Sequence, residues 1–198
     1  MLLILMGKTC SGKDTVAKEL INRGWNRILT YTTRKRRRGE KKDVVYHFID
    51  DNEFDEKIAA DFFLEHKEYT IADGSVVRYG SPKDELTNDN GNDFIIMTPS
   101  GYKDFLKKSD RQHVAIYLYA NDQTITSRLK KRGDSAKEAE RRLIADRVDF
   151  KDCECLADKI VYNNDKVDIE EVVDKIIKIA EEKHERYKRV RKNSHKKD

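Results

Sequence analysis

Long apolar runs are missing from this 198-residue chain. No stretch approaches the ~20 residues that a membrane span needs. The opening MLLILM is six residues long and gives way at once to a glycine loop. A secretion signal would need a basic start and a longer apolar core, so the opening reads as a buried first strand. Cysteine is scarce: Cys10, Cys153 and Cys155 are the whole supply. Cys153 and Cys155 lie two apart with no second pair, which argues against a zinc site. An odd count without a secretion signal points to a reducing cytoplasm. Proline (2) and glycine (9) are sparse, and no Pro- or Gly-rich linker or internal repeat divides the chain. A strong charge of one sign is also lacking. Charged residues reach 39% but the net charge is only +4, so the charges interleave on a solvated surface and do not by themselves argue for nucleic acid.

What is present is alternation. Apolar strand-like runs take turns with helical patterns: LLILM then TVAKELINRG, RILTY, VVYHFI then NEFDEKIAADFF, NDFIIMT then SGYKDFLKK, HVAIYLYA, DKIVYNN then DIEEVVDKIIKIAEE. Between HVAIYLYA and DKIVYNN the pattern predicts two charged helices, near 121–132 and 135–156. Such alternation implies a parallel sheet covered by helices on both faces. FLEHKEYTI and VVRYG flank the turn signal ADG, so a hairpin is expected near 63–80. The tail KRVRKNSHKK is basic and polar and reads as a frayed, solvated helix end. The size suits one compact domain.

Directly behind LLILM stands GKTCSGKDT. Gly7, Gly12 and Lys13 fit G-x-x-x-x-G-K, in the strand–loop–helix context this motif requires. Backbone N–H groups of Cys10, Ser11 and Gly12 would turn inward to phosphate oxygens. Lys13 would reach the outer phosphates, and the helix start would add its positive dipole end. The usual Ser or Thr after the lysine is replaced by Asp14, with Thr15 one place late. A carboxylate can hold Mg2+ beside phosphates, and it can equally serve as a helix N-cap. Downstream, TYTTRKRRRGEKKDVVYHF gathers arginines, hydroxyls and a tyrosine into an anion receiver. From composition alone, a solvated basic loop or a nucleic-acid patch is equally open.

This stretch resembles the guanylate kinase family: T-T-R, an Arg three residues on, G-E, then Y-x-F. FFLEH, YGSP, SRLKKRG, RRLIAD and YNND resemble further family segments in order, over roughly residues 1–165. The resemblance implies a P-loop kinase fold. It has a parallel core (1–30, 81–120 and 148–183), a small mixed β lobe for the nucleoside monophosphate (31–80), a helical lid (121–147) and the basic tail (184–198). It implies ATP-dependent, Mg2+-assisted phosphorylation of GMP or dGMP, by a monomer or homodimer, without nucleic-acid or membrane partners. Arg34, Arg37, Tyr46 and Tyr79 match the family's ligands for the monophosphate. Thr30, Glu65 and Ser81 match its guanine contacts. A carboxylate at Glu65 takes the two guanine donors, a hydroxyl at Ser81 can give to O6, and adenine reverses that pattern. Arg128, Arg132 and Arg142 match arginines that offset charge on the ATP phosphates.

Three departures stand out. Ile96 and Thr98, in FIIMTPSG, replace two family Asp residues that serve the metal and the nucleotide substrate, which leaves Thr98 at a substrate position and suggests that Asp14 supplies the missing carboxylate. The segment between Glu65 and Tyr79 is long, which extends the hairpin. Arg36 replaces a family Pro and frees that turn. A kinase for another phosphorylated acceptor, such as a deoxynucleotide or sugar phosphate, and a non-catalytic interaction module remain the other readings.

Overall fold

The computed structural model describes residues 1–194, apart from Arg38, Ala72, Asn90 and Asp134. The expected parallel sheet is there: strands β1 (Leu2–Met6), β2 (Asn26–Arg27), β7 (Asp93–Ile96), β8 (His113–Tyr119) and β9 (Lys159–Tyr162) run in the order β2-β7-β1-β8-β9. β1 is central, parallel to β7 and β8, and buried along its whole length. Its alternation feeds two cores. Leu3 and Leu5 pack with Val114, Ile116 and residues of helices α1 (Lys13–Asn22) and α8 (Ile169–Ser194) on one face. Leu2, Ile4 and Met6 pack with Ile95, Tyr117 and Tyr102 and Phe105 of α4 (Pro99–Lys108) on the other. The unbroken apolar run of β1 follows from this two-sided burial.

A second sheet, ordered β4-β3-β6-β5, holds β3 (Tyr31–Thr32), β4 (His47–Phe48), β5 (Phe63–Thr70) and β6 (Val76–Pro82). β5 and β6 form the expected antiparallel hairpin, closed by Ile71 N–H to Ser75 O and by Gly74 at φ 85°. Helix α2 (Asp51–Ala59) starts on the Asp50 cap and packs Phe54 against Phe63 at 4.7 Å.

Three expectations need correction. RILTY is not one strand: β2 belongs to the parallel sheet and β3 to the second, and Ile28, buried and bonded through its N–H to Phe94 O, lies in the crossing segment. VVYHFI forms only the short β4, with Val44 left exposed. The expected helix over 135–156 breaks into α6 (Ala136–Asp149) and α7 (Cys153–Leu156). The break comes where Phe150 turns inward to stack on Tyr117 at 5.9 Å and Cys153 is buried after it. Two further helices complete the order: α3 (Lys83–Thr87), which the pattern did not announce, and α5 (Asp122–Arg132), close to expectation. The tail is more regular than expected, because α8 continues to Ser194; its last residues, 195–198, lie outside the described residues. No helix among the described residues is long and apolar enough to cross a membrane.

Candidate active site

The phosphate loop spans the gap between the C-terminal end of β1 and the start of α1. Its sharp path needs two left-handed residues, Cys10 at φ 53° and Gly12 at φ 99°. At Gly7 a Cβ would stand 2.8 Å from Leu118 O, so only glycine lets the loop lie this close to β8. Asn163, just past β9, donates from Nδ2 to Ser11 O at 2.8 Å and pins the loop from behind. Lys13 Nζ donates to Gly7 O at 2.6 Å and to Lys8 O at 2.8 Å, arching over the loop. Burial lowers the Lys13 pKa. Ser11 Oγ is buried with no hydrogen-bond partner beneath the loop.

A cavity of about 310 Å³ opens in front of this loop. Its lining includes Gly7, Cys10, Lys13, Asp14, Arg132 and Arg142 together with Thr30, Arg34, Arg37, Tyr46, Glu65, Tyr79, Ser81 and Thr98. Residues separated by more than a hundred positions in sequence thus share one space. Four expected residues stay outside its lining. Ser11 and Gly12 shape the loop from beneath, Thr15 is exposed on α1, and Arg128 donates to Cys10 O at 3.3 Å while pairing with Asp165. Asp14 is not the helix cap; Gly12 holds that position, and Asp14 lies exposed in the first turn facing the cavity.

Among the lining residues, Arg34 is 8% exposed, pairs with Glu40 at 2.9 Å and lies 5.5 Å from the ring centres of Tyr46 and Phe48. Glu40 also accepts the Arg37 N–H at 2.7 Å, so the G-E of the sequence pattern is the clamp that shapes the arginine loop. Tyr46 meets Tyr79 edge-on at 5.9 Å, and burial pushes its phenol up to about 12, so it is a hydrogen-bond donor at neutral pH.

Glu65 is nearly buried and accepts Ser81 Oγ–H at 2.5 Å. In this arrangement the Ser81 proton points at Glu65, so a contact to a guanine O6 requires the hydroxyl to turn. Burial raises the Glu65 pKa, against the opposing pull of the Ser81 bond. The first turn of α4 presses on Glu65: a Cβ on Gly101 would lie 3.2–3.4 Å from its carboxylate. Thr98, which the sequence puts where an acid was expected, caps α4 by accepting the Gly101 N–H at 3.1 Å.

Several lining residues were not anticipated. Lys67 and Tyr69, with Ile71 just past the strand, continue the Glu65 face of β5 at period two, a signal the strand alternation carried. Asp146 and Asp149 follow Arg142 at helical spacing on α6. The Asp146 carboxylate accepts the Thr9 N–H at 2.7 Å, and burial raises its pKa. Glu138 holds Arg141 and Arg142 together at 2.9 and 2.5 Å; the Arg141 bond is the main reason its carboxyl falls to about 2.

Residues 1–183 match the sequence model of the family described as "Guanylate kinase". The chain belongs to the guanylate kinase family. It is 30% identical over 185 residues to the guanylate kinase of Prochlorococcus marinus, covering 90% of this chain and 95% of that one. It is 31% identical over 201 residues to that of Onion yellows phytoplasma, covering 98% and 91%. The crystal structure of guanylate kinase from Anaplasma phagocytophilum superposes with a TM-score of 0.66 at 25% identity, covering 90% of this chain and 83% of that one. By family the chain is a nucleoside monophosphate kinase.

Proposed function

We propose that the protein transfers the γ-phosphate of ATP to GMP, giving ADP and GDP. The observation that carries this is the shared cavity, lined by Lys13 and its loop, by the hydrogen-bonded Glu65–Ser81 pair, and by Arg34, Arg37, Tyr46 and Tyr79. In this reading Glu65 takes the N1 and N2 donors of guanine. The arginines and tyrosines hold the GMP phosphate so that one of its oxygens faces the γ-phosphorus in line with the leaving ADP oxygen. The new P–O bond forms as the β–γ bridging bond breaks, and the electron pair leaves with ADP. Lys13, Arg132 and Arg142 offset the charge on the transferring group, with Arg128 setting the loop through Cys10 O. No general base is needed, because positioning and charge supply most of the rate in phosphoryl transfer. The segments at 121–147 and 31–80 act as lid and acceptor lobe over the core, and their closure excludes water. Three unpaired cysteines fit a protein working in the reducing cytoplasm.

Magnesium fits the donor end. Mg2+ is commonly held by one or two carboxylates together with substrate phosphates, and Asp14 offers a carboxylate on the cavity wall next to Lys13. Bound there, the ion would neutralise phosphate charge. Asp14 and Ile96 line the same cavity, which supports the reading that Asp14 stands in for an acid lost from β7. Among the described residues no group of three His, Cys, Asp or Glu could hold a metal without the nucleotide. An Asp14→Ser variant is expected to need more Mg2+ for half-maximal rate; an unchanged requirement would remove Asp14 from this role.

The test is ADP release from ATP and Mg2+ with GMP, AMP, CMP, UMP, dTMP, ribose phosphates or no acceptor. Turnover confined to guanine nucleotides is expected. Turnover with a sugar phosphate or another base would keep the kinase and overturn the pocket assignment. No turnover at all would favour an interaction module, against which the intact phosphate loop already argues.

A further inference from the structure

Glu138 precedes Arg141 and Arg142 by three and four residues on α6, the spacing at which one helical side chain reaches both. Its backbone N–H donates to Ser135 Oγ at 3.2 Å, so Ser135 caps the helix. In a capping box of the S-x-x-E type the carboxylate would return to the backbone of the cap. Here both Glu138 oxygens are spent on the arginines instead. Oε2 accepts from Arg141 Nε at 2.9 Å, and Oε1 accepts from Arg141 Nη2 at 3.0 Å and from Arg142 Nε at 2.5 Å. A carboxylate between two adjacent cations also offsets the repulsion that would splay them.

The two arginines are held differently. Arg141 gives Nε and Nη2 to Glu138, and its Nη1 donates to Thr70 O at 3.4 Å, so all three nitrogens are engaged. Thr70 ends β5, so this bond ties α6 to the long hairpin. Asp146 ties the same helix to the phosphate loop through the Thr9 N–H. Arg142 gives only Nε. Among the described residues its Nη1 and Nη2 have no hydrogen-bond partner. These two nitrogens are the outer fork of the guanidinium, the geometry that takes a phosphate through two parallel bonds. Arg142 lines the cavity with Lys13. Its charge is among those that lower the Arg37 pKa, after burial and Arg34.

We propose that Glu138 is a positioning residue for phosphoryl transfer: it fixes Arg142 by Nε so that the outer fork meets the transferring phosphate, while Arg141 anchors the pair to the hairpin. The assignment rests on the role given to Arg142 in the kinase reading above.

The experiment is a double-mutant cycle in the full-length protein with Mg-ATP and GMP, comparing wild type, Glu138→Gln, Arg142→Ala and the double variant. Gln keeps the size of Glu but offers two arginines a single acceptor oxygen. Glu138→Gln should lower kcat about ten- to a hundredfold, the effect of a misplaced phosphate ligand. KM for ATP should hold or fall, because the variant removes a negative charge close to the phosphate-binding arginines. In the Arg142→Ala background the same substitution should change kcat by less than about twofold, because the group it positions is gone. A wild-type kcat in Glu138→Gln, or an equal loss in both backgrounds, would overturn the assignment and leave the kinase reading standing. Equal losses accompanied by a lower melting temperature would mark Glu138 as structural only. Full kcat in Arg142→Ala would overturn the role of Arg142, and that of Glu138 with it. A wild type that transfers no phosphate would overturn the kinase reading itself.

Discussion

Replacing Glu65 by Gln makes the sharpest test of the acceptor end, because its effects on catalysis and on stability should point in opposite directions. The amide keeps the volume and can still accept from Ser81 Oγ, 2.5 Å away. It replaces one of two acceptor oxygens with a donor. Against guanine, one charge-assisted bond is lost, about 1.5–3 kcal/mol, and an NH2 is set against an N–H donor, adding about 1–3 kcal/mol. A total of roughly 2.5–6 kcal/mol corresponds to a fall on the order of 10²–10⁴ in kcat/KM for GMP. Affinity for ATP, bound at the phosphate loop, should be unchanged. For the fold the sign reverses. Burial raises the Glu65 pKa, so its contribution to stability is fully present below the ordinary carboxyl range and is lost as pH rises through the folded value. At pH 7 the wild type carries a nearly buried carboxylate that the variant lacks. The Gln variant should therefore melt at or above the wild-type temperature at pH 7, with that advantage shrinking toward pH 4. Steady-state kinetics and thermal melts at both pH values check this. A kcat/KM for GMP within threefold of wild type would refute Glu65 as the guanine acceptor. A variant that melts lower at pH 7 would refute the burial argument.

Lys13→Ala should cost roughly a thousandfold in kcat with little change in GMP affinity, measured by isotope-labelled transfer from ATP; a loss below tenfold would remove Lys13 from the transferring phosphate. Asp146→Asn keeps an acceptor for the Thr9 N–H but removes a negative charge beside the phosphate loop. Magnesium-free ATP should then bind about threefold or more tightly by calorimetry, and weaker or unchanged binding would contradict that repulsion. Gly101→Ala adds a Cβ 3.2–3.4 Å from the Glu65 carboxylate, so KM for GMP should rise. The melting temperature should hold or rise, because Ala favours a helix over Gly by up to about 1 kcal/mol; an unchanged KM would show that Glu65 tolerates displacement.

The β1 run and the G-x-x-x-x-G-K spacing were legible because both signals are local: one strand buried on two faces, one loop whose glycines meet backbone. The Glu65–Ser81 pair was legible through motif order, yet the direction of its hydrogen bond was not, since a hydroxyl rotor leaves no trace in sequence. The break at Phe150 was invisible to helical periodicity. It depends on a stacking partner, Tyr117, more than thirty residues away on β8. Asp146 escaped notice for the same reason: its partner is a backbone N–H 137 positions earlier. Tyr69 could have been found, because period two from Glu65 leads to it.

The measurement that bears most directly on the account is a crystal structure of the protein with GMP. The account predicts guanine N1 and N2 against Glu65, and the phosphate among Arg34, Arg37, Tyr46 and Tyr79. A base turned away from Glu65, or a phosphate seated on the Lys13 loop instead, would contradict it.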